Sequence, residues 1–277
     1  MRLVSGIEIS VGAGSMHILG LGVDAENAAL KTLMENADHE RIRRAEVIVQ
    51  KLNALNAGKP IDFLSDLVLT KVNKNRVIDG LEPISGEEAG DMGRESLLSG
   101  FTGEITRPDI AQVLVDKGYV ADTKEAFSKY IGNDGPAYVP VQGPSFTDVL
   151  DIIHNAGGIA VLAHPFTVFK LPGDLAKQYP DFDALFRALV EAGLDGVEAY
   201  QPKTQYTKDN EARLSAALNT LPKKARRKLL YVPASDYHAH EKIGGKNIGG
   251  LAMPKEEASK ILRALNIHKP RAAKSAK

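Results

Sequence analysis

Residues 152–165, IIHNAGGIAVLAHP, show a rhythm that repeats through the second half of the chain. The end of an amphipathic helix is followed by two glycines and then by a short apolar run typical of a buried strand. The same succession returns at residues 182–200, which end in GVEAY, and helix and strand alternate again at residues 210–234, which end in LLYVPA. Strands that alternate with helices predict parallel βαβ units, and therefore an α/β fold.

The first 23 residues predict a β-hairpin instead of a βαβ unit. Two apolar runs, LVSGIEIS and MHILGLGV, flank the Gly-rich segment VGAGS. The first run indicates a buried strand over residues 3–9. Gly12 and Gly14 form a G-x-G pattern, but a strand follows it where a dinucleotide-binding loop needs a helix. The sequence therefore disfavours dinucleotide binding.

A mostly helical segment separates the hairpin from the βαβ units. Residues 24–56 carry apolar residues at helical spacing among many charges, which predicts one or two packed helices. The pattern at residues 57–104 is too irregular for an assignment. Two short helices then have recognisable starts. Thr106 and Asp109 form a capping-box pattern, and Asp122 and Glu125 form a similar capping pattern with the same spacing.

The composition is that of an ordinary folded protein. Among 277 residues, 35 Lys and Arg balance 35 Asp and Glu, so no global field attracts nucleic acid or an anionic membrane. The absence of cysteine excludes disulfides, thiolate nucleophiles and cysteine-ligated metal sites. No apolar run approaches the roughly 20 residues that cross a bilayer. We therefore expect a cytoplasmic protein, with no membrane association and no protein partner.

Residues with metal-binding side chains interrupt or follow several predicted strands. His164 follows IAVLA, Asp236 and His238 follow LLYVPA, and the hairpin contains Glu8 and His17. In α/β folds the active site gathers at the carboxyl ends of the strands, so these residues are expected at one edge. Singly, each has a structural explanation, such as a hydrogen-bonded histidine. Together they favour a metal cluster, because a carboxylate between two isoleucines is costly to bury without a cation or hydrogen bonds.

Four short motifs follow one another in the order GIEIS, HILGL, AVLAHP and SDYH, at residues 6–10, 17–21, 160–165 and 235–238. In this order they resemble the later motifs of the PHP (polymerase and histidinol phosphatase) family of metal-dependent phosphoesterases. The likeness is to the branch that acts on nucleotide 3′,5′-bisphosphates and on RNA 5′ ends. The segments ITRPDIAQVLVDKGY and FSKYIGNDGPAYVP resemble the helical insertion of that branch.

The resemblance implies a PHP-type distorted (βα)7 barrel with two or three divalent metal ions at the ends of its strands. The ligands that it implies are Glu8, His17, His164, Asp236 and His238. Members of the family carry D-L-H-x-H-S and T-D-H-D motifs upstream of G-x-E-I-S, whereas this chain starts at the later motif. We therefore expect a barrel that lacks its first two strands, through a misplaced start codon or a truncated gene.

The expected domains follow from the same resemblance. Residues 1–23 and 141–268 would form the incomplete barrel, and residues 24–140 the mostly helical insertion. Residues 269–277 have the small, polar and basic composition of a disordered tail.

The implied activity is hydrolysis of phosphomonoesters of nucleotides, of the 3′,5′-bisphosphate type, or of nucleotides at RNA 5′ ends, by metal-activated hydroxide. Glu8, His164, Asp236 and His238 are the expected catalytic residues. Manganese, iron and zinc all suit this ligand set. Arg107 and Lys129 are the candidate partners of the substrate phosphate.

Two alternatives stay open. The chain could be a catalytically inactive remnant that binds metal weakly through His164, Asp236 and His238. It could instead be another metal-dependent hydrolase, acting on amides or on sugar phosphates.

Overall fold

The computed structural model describes residues 4–55, 59–99, 101, 105–200, 207–234, 236 and 253–267. The chain divides into two compact units, Met1–Leu33 with Gln142–Lys277, and Met34–Val141. Each unit has its own cluster of buried apolar side chains. The proposed division into a barrel and an insertion uses slightly different boundaries and stays a prediction.

The described part of the first unit contains a mixed five-stranded sheet. Its strands lie in sequence order: β1 (Gly6–Val11), β2 (Met16–Leu21), β3 (Ile159–Leu162), β4 (Gly196–Tyr200) and β5 (Leu230–Pro233). β1, β2 and β3 pair antiparallel, whereas β3, β4 and β5 pair parallel. The mixed α/β fold expected from the sequence is confirmed, with its hairpin followed by parallel strands.

Helices precede the parallel strands and cover the sheet on both faces. Ala160 and Leu162 of β3 belong to one buried cluster, and Ile159 and Val161 belong to another, as the two-residue period of a strand requires. The helices of this unit are α6 (Phe146–Asn155), α7 (Gly173–Ala176), α8 (Phe182–Glu191), α9 (Lys208–Thr220), α10 (Lys223–Lys228) and α11 (Lys255–Ile267). A strand that is buried on both faces consists of consecutive apolar residues, and IAVLA is such a run. The sequence therefore predicts this strand.

The first strand is less buried than the sequence indicated. Ile9 and Val11 are buried, but Gly6 is exposed and Val4, just before the strand, is 46% exposed. The expectation of a buried strand over residues 3–9 was therefore wrong for its described first half. The physical reason is that β1 pairs with β2 along one edge, and no strand among the described residues covers its other edge.

The second unit is helical in its described part. α1 (Ala28–Leu55) is one long helix where one or two were expected, and its first residues belong to the first unit. The unassigned region contains a π-helical segment, Phe63–Leu69, that continues into α2 (Thr70–Ile78), and then α3 (Gly86–Ser99). α4 (Arg107–Asp116) and α5 (Thr123–Ala126) follow, and α5 continues into a second π-helical segment, Phe127–Ile131.

The two helix starts read from the sequence are confirmed. The Thr106 side chain accepts a hydrogen bond from the Asp109 amide, and Asp109 Oδ2 accepts one from the Thr106 amide at 2.8 Å. Asp122 Oδ1 accepts a hydrogen bond from the Glu125 amide at 2.7 Å. Among the described helices, none has both the length and the apolar character of a membrane span.

Candidate metal centre

Three donor atoms meet at one end of the sheet. Glu8 Oε1 lies 2.7 Å from His17 Nδ1 and 3.1 Å from His164 Nε2, and the two ring nitrogens are 3.1 Å apart. All three atoms lie within 4.8 Å of one another. A carboxylate oxygen and two imidazole nitrogens are ligands that suit zinc, manganese and iron. The donor set therefore fits a divalent cation.

Strand pairing brings the three side chains together. In the hairpin, Ser10 lies opposite His17 and Glu8 lies opposite Leu19, so Glu8 and His17 are diagonal neighbours within reach of long side chains. β2 is antiparallel to β3, and the Ala163 amide donates to the His17 carbonyl at 3.1 Å. The start of β2 and the carboxyl end of β3 therefore share an edge, and His164 follows directly.

The backbone of His164 is held in an unusual conformation. Its φ of 25° and ψ of 63° lie in the left-handed region, which costs a residue other than glycine about 1–3 kcal/mol. Its amide donates to Glu198 Oε2 at 2.6 Å, and its carbonyl accepts from the Thr167 amide at 3.0 Å. Asp236 also has a positive φ, of 49°. Such strain clusters at functional sites, where surrounding contacts maintain it.

Thr167 contacts both the backbone and the ring of His164. Thr167 Oγ1 donates to the His164 carbonyl at 3.1 Å and lies 3.2 Å from His164 Nδ1. With the Thr167 hydroxyl beside Nδ1, the other ring nitrogen, Nε2, faces Glu8 and His17.

The contacts within the cluster shift the pKa values of Glu8 and His164. Hydrogen bonds from His164 and His17 hold the pKa of the Glu8 carboxyl well below its usual range, despite partial burial. Burial alone would lower the pKa of His164. The hydrogen bond to Glu8 and the charges of Glu8, Glu198 and Asp236 outweigh it and raise that pKa above its ordinary value. The site thus concentrates negative charge around a histidine, which favours a proton or a cation there.

The three side chains of the cluster differ in exposure to solvent. The side chain of His164 is 12% exposed, while those of His17 and Glu8 are 31% and 42% exposed. His164 is therefore the least exposed of the three side chains, and Glu8 is the most exposed.

The other expected ligands are less fully described. Asp236 lies close enough for its charge to raise the pKa of His164, but its carboxylate is not one of the three donors that meet. His238 lies outside the described residues. The roles of both in metal binding and catalysis stay predictions.

The two candidate phosphate partners belong to the second unit, where each has protein partners. Arg107 Nη1 donates to the Ile131 carbonyl at 3.3 Å and to Asn133 Oδ1 at 2.9 Å. Its guanidinium also lies over the rings of Phe127 and Tyr138. Lys129 Nζ is 2.5 Å from Glu125 Oε1. Their binding of substrate phosphate stays a prediction.

Glu198, which the sequence interpretation missed, is the buried acid next to the cluster. It lies in the middle of β4 and is 4% exposed. Val197 and Ala199 flank it, as two isoleucines flank Glu8. The same argument about a costly buried carboxylate, applied to GVEAY, could have found it.

The chain is similar in sequence to enzymes that cleave phosphate esters. It is 29% identical over 187 residues to a 5′-3′ exoribonuclease of Haemophilus influenzae, covering 66% of this chain and 56% of that protein. It is 30% identical over 164 residues to a 3′,5′-nucleoside bisphosphate phosphatase of Chromobacterium violaceum, covering 58% and 47%. The chain thus spans about half the length of these two relatives.

A third relative matches over more of its length. It is a phosphoribosyl 1,2-cyclic phosphate 1,2-diphosphodiesterase of Eggerthella lenta, 26% identical over 243 residues, with 86% of this chain and 73% of that protein covered. No protein-family model matches the chain.

Solved structures support the fold. A protein of Bifidobacterium adolescentis assigned as a metal-dependent phosphoesterase superposes with a TM-score of 0.57 and 22% identity, over 95% of this chain and 77% of that one. An amidohydrolase from Chromobacterium violaceum gives a TM-score of 0.53 and 24% identity, over 98% and 79%. At these identities the structures show a shared fold.

Fold and site together define a class of protein, an α/β protein with a carboxylate and two imidazoles at the end of its sheet. The sequence relatives make the assignment more specific. They confirm the resemblance of this chain to the PHP family of metal-dependent phosphoesterases.

Proposed function

We propose that the chain acts as a metal-dependent phosphoesterase on nucleotides of the 3′,5′-bisphosphate type or on nucleotides at RNA 5′ ends. The observation that carries this proposal is the meeting of Glu8, His17 and His164 at the carboxyl end of β3. The relatives named as an exoribonuclease and as a nucleoside bisphosphate phosphatase supply the substrate class.

We propose that Glu8, His17 and His164 hold one divalent cation and that Asp236 and His238 help to hold a second or a third. Manganese, iron and zinc are the candidates that this ligand set favours. Bound divalent ions polarise phosphate oxygens and lower the pKa of a coordinated water towards about 7.

The side chains of the cluster prepare the site in defined ways. Because the pKa of Glu8 is lowered, its carboxylate is ionised throughout the neutral range and offers a charged ligand. Thr167 lies beside Nδ1 of His164, so the opposite nitrogen, Nε2, would be the atom that holds a divalent cation. The exposed sides of Glu8 and His17 leave room for a phosphate to approach from solvent.

The sheet is proposed to be part of a distorted (βα)7 barrel, in which another strand would pair with the outer edge of β1. The exposed Val4 and Gly6 beside the outer edge of β1 support this placement. Residues 24–140 would be the insertion. Arg107 and Lys129 are proposed to contact substrate phosphate through N–H groups beyond those that bind Asn133 and Glu125.

The proposal is tested with purified chain, stripped of metal and reloaded separately with manganese, iron or zinc. The substrate panel contains a nucleoside 3′,5′-bisphosphate, a 5′-phosphorylated RNA, a cyclic ribose phosphate and an amide. We expect metal-dependent release of phosphate or nucleotide from the first two. Glu8→Gln and His164→Gln should lower it by more than the roughly 10- to 100-fold loss typical of residues that only orient a metal ligand.

Glu191→Gln is the matched control, because Glu191 is an exposed acid of the same unit. Preference for the cyclic ribose phosphate would move the assignment towards the activity named for the Eggerthella relative. Metal binding without hydrolysis of any substrate would support the inactive remnant. The same panel, run with any residues encoded in frame upstream of Met1 included, tests whether the D-L-H-x-H-S and T-D-H-D motifs are needed.

A further inference from the structure

Glu198 is a buried charge placed against the backbone of a candidate metal ligand. In the parallel pairing of β3 with β4, Leu162 lies beside Val197, so Glu198 is carried to the end of β3. Its Oε2 accepts the amide of His164 at 2.6 Å, a short distance for a charge-assisted hydrogen bond. Burial of a carboxylate here is costly, so its position calls for a role.

The remaining polar groups of His164 are also engaged. Its carbonyl accepts from the amide and the hydroxyl of Thr167, and its Nδ1 lies 3.2 Å from the same hydroxyl. Only Nε2 is directed at Glu8 and His17. The contacts of Glu198 and Thr167 together account for the left-handed backbone and for the direction of the ring.

We propose that Glu198 is a positioning residue: its carboxylate fixes the His164 amide, and thereby directs Nε2 at the atoms of Glu8 and His17. The consequence for metal affinity rests on the proposed function, whereas the effect on the His164 backbone does not. The rival role, in which Glu198 itself binds the cation, makes a different prediction for substitutions that keep its shape.

Two variants separate these roles. Glu198→Gln keeps an acceptor oxygen in nearly the same shape, and Glu198→Met keeps the approximate size but removes the acceptor. Glu198→Ala is a second acceptor-free variant, for use if the Met variant does not fold by circular dichroism. Glu191→Ala, at an exposed acid of the same unit, is the control.

The first measurement needs no metal. Amide hydrogen exchange of His164 is followed by NMR in the metal-free wild type and in each variant. We expect exchange to be about tenfold faster or more in Glu198→Met, with protection largely kept in Glu198→Gln and in the control. Equal protection in all four proteins would overturn the proposal.

The second measurement is the affinity for Co²⁺, by competition with a chromophoric chelator, together with the visible absorption of bound Co²⁺. Glu198→Met should weaken binding by roughly 10- to 100-fold, and Glu198→Gln by less than about tenfold with the wild-type bands retained. Equal losses in both variants, with altered bands in Glu198→Gln, would show that Glu198 is a ligand and overturn the positioning role. A wild type that binds no Co²⁺ would contradict the proposed function, and amide exchange would still decide the role of Glu198.

Discussion

At the scale of single residues, His164 meets two opposing demands. Its backbone lies at a φ of 25°, where a residue with a Cβ is disfavoured by about 1–3 kcal/mol. Its side chain is nevertheless the least exposed of the three in the candidate metal centre. The strained backbone of His164 thus lowers the stability of the fold, while Nε2 of its ring lies beside Glu8 and His17.

A comparison of two substitutions isolates this backbone cost. We expect metal-free His164→Gly to be more stable than metal-free His164→Ala by about 1 kcal/mol, because glycine adopts a positive φ without steric conflict. Both changes remove the ring, so the difference reports the backbone. Urea unfolding gives the two free energies.

The opposite order is expected at an ordinary helical position. At Ala188 in α8, replacement by glycine should destabilise the chain by roughly 0.5–1 kcal/mol. Equal free energies of unfolding for the two His164 variants would contradict a strained backbone at His164.

Glu8 and His164 impose opposite pH limits on the metal-free chain. The pKa of His164 is raised above its ordinary 6.5. Its contribution to the free energy of unfolding is therefore complete below pH 6.5 and is lost as pH rises through the raised pKa. The pKa of Glu8 is lowered from 4.5, so its contribution is present above that pH and is lost as pH falls through the lowered value. The pair should stabilise the chain most between these limits.

Urea unfolding over a range from about pH 4 to pH 8 tests the upper limit, which His164 sets. In Glu8→Gln the fall in stability above pH 6.5 should become smaller, because His164 then lacks the partner that raises its pKa. An unchanged pH profile in Glu8→Gln would show that the two side chains do not interact as described.

The residues of the site could be predicted only in part from the sequence. Glu8, His17 and His164 lie in or next to strands that the sequence predicts. The order of the strands and motifs was enough to expect the three residues at one edge of the sheet, where they meet. The apolar neighbours of Glu198 in GVEAY indicate a carboxylate that needs a partner, but a single acid in a short strand does not reveal which group across the sheet supplies it. The hydrogen bond from the His164 amide depends on the register of β3 and β4, which local sequence does not encode.

At the scale of elements, strands with local boundaries were predicted well. β4 has the predicted bounds, and β3 and β5 are shorter than IAVLA and LLYVPA by one and two residues. These strands could be predicted because glycines and helix ends mark their boundaries in the local sequence. The exposure of β1 depends on what lies at its outer edge. The region of α2 and α3 gave no signal, since a π-helical segment changes the spacing of its apolar residues.

The capping box of α4 offers an element-scale test. Thr106→Ala should destabilise the chain by about 1 kcal/mol, because the Asp109 amide loses its acceptor at the start of the helix. Thermal or urea unfolding measures the change. Thr123→Ala, at an exposed threonine in the first turn of α5, should have little effect, and equal losses in both variants would argue against a specific cap.

At the scale of the whole molecule, the two buried clusters predict two separable responses to core damage. Leu114 in α4 and Leu189 in α8 are both fully buried, each in the cluster of its own unit. Either leucine changed to alanine should destabilise its unit by about 2–5 kcal/mol.

Hydrogen exchange read by mass spectrometry locates the effect. Leu114→Ala should loosen residues 34–141 and leave Co²⁺ affinity unchanged, whereas Leu189→Ala should loosen the sheet unit and weaken Co²⁺ binding. Loosening of both units by either variant would show that the chain unfolds as one cooperative body.

The three donor atoms differ greatly in how far apart they lie along the chain. Glu8 and His17 are 9 residues apart within one hairpin, whereas His17 and His164 are 147 residues apart. A cation shared by the two histidines would therefore be a removable cross-link that closes a loop containing the entire second unit. Cross-links that close long loops restrict mainly the unfolded chain. If residues 34–141 unfolded, the cation would still hold the hairpin close to β3. The hairpin and β3 would then pair again without first having to find each other.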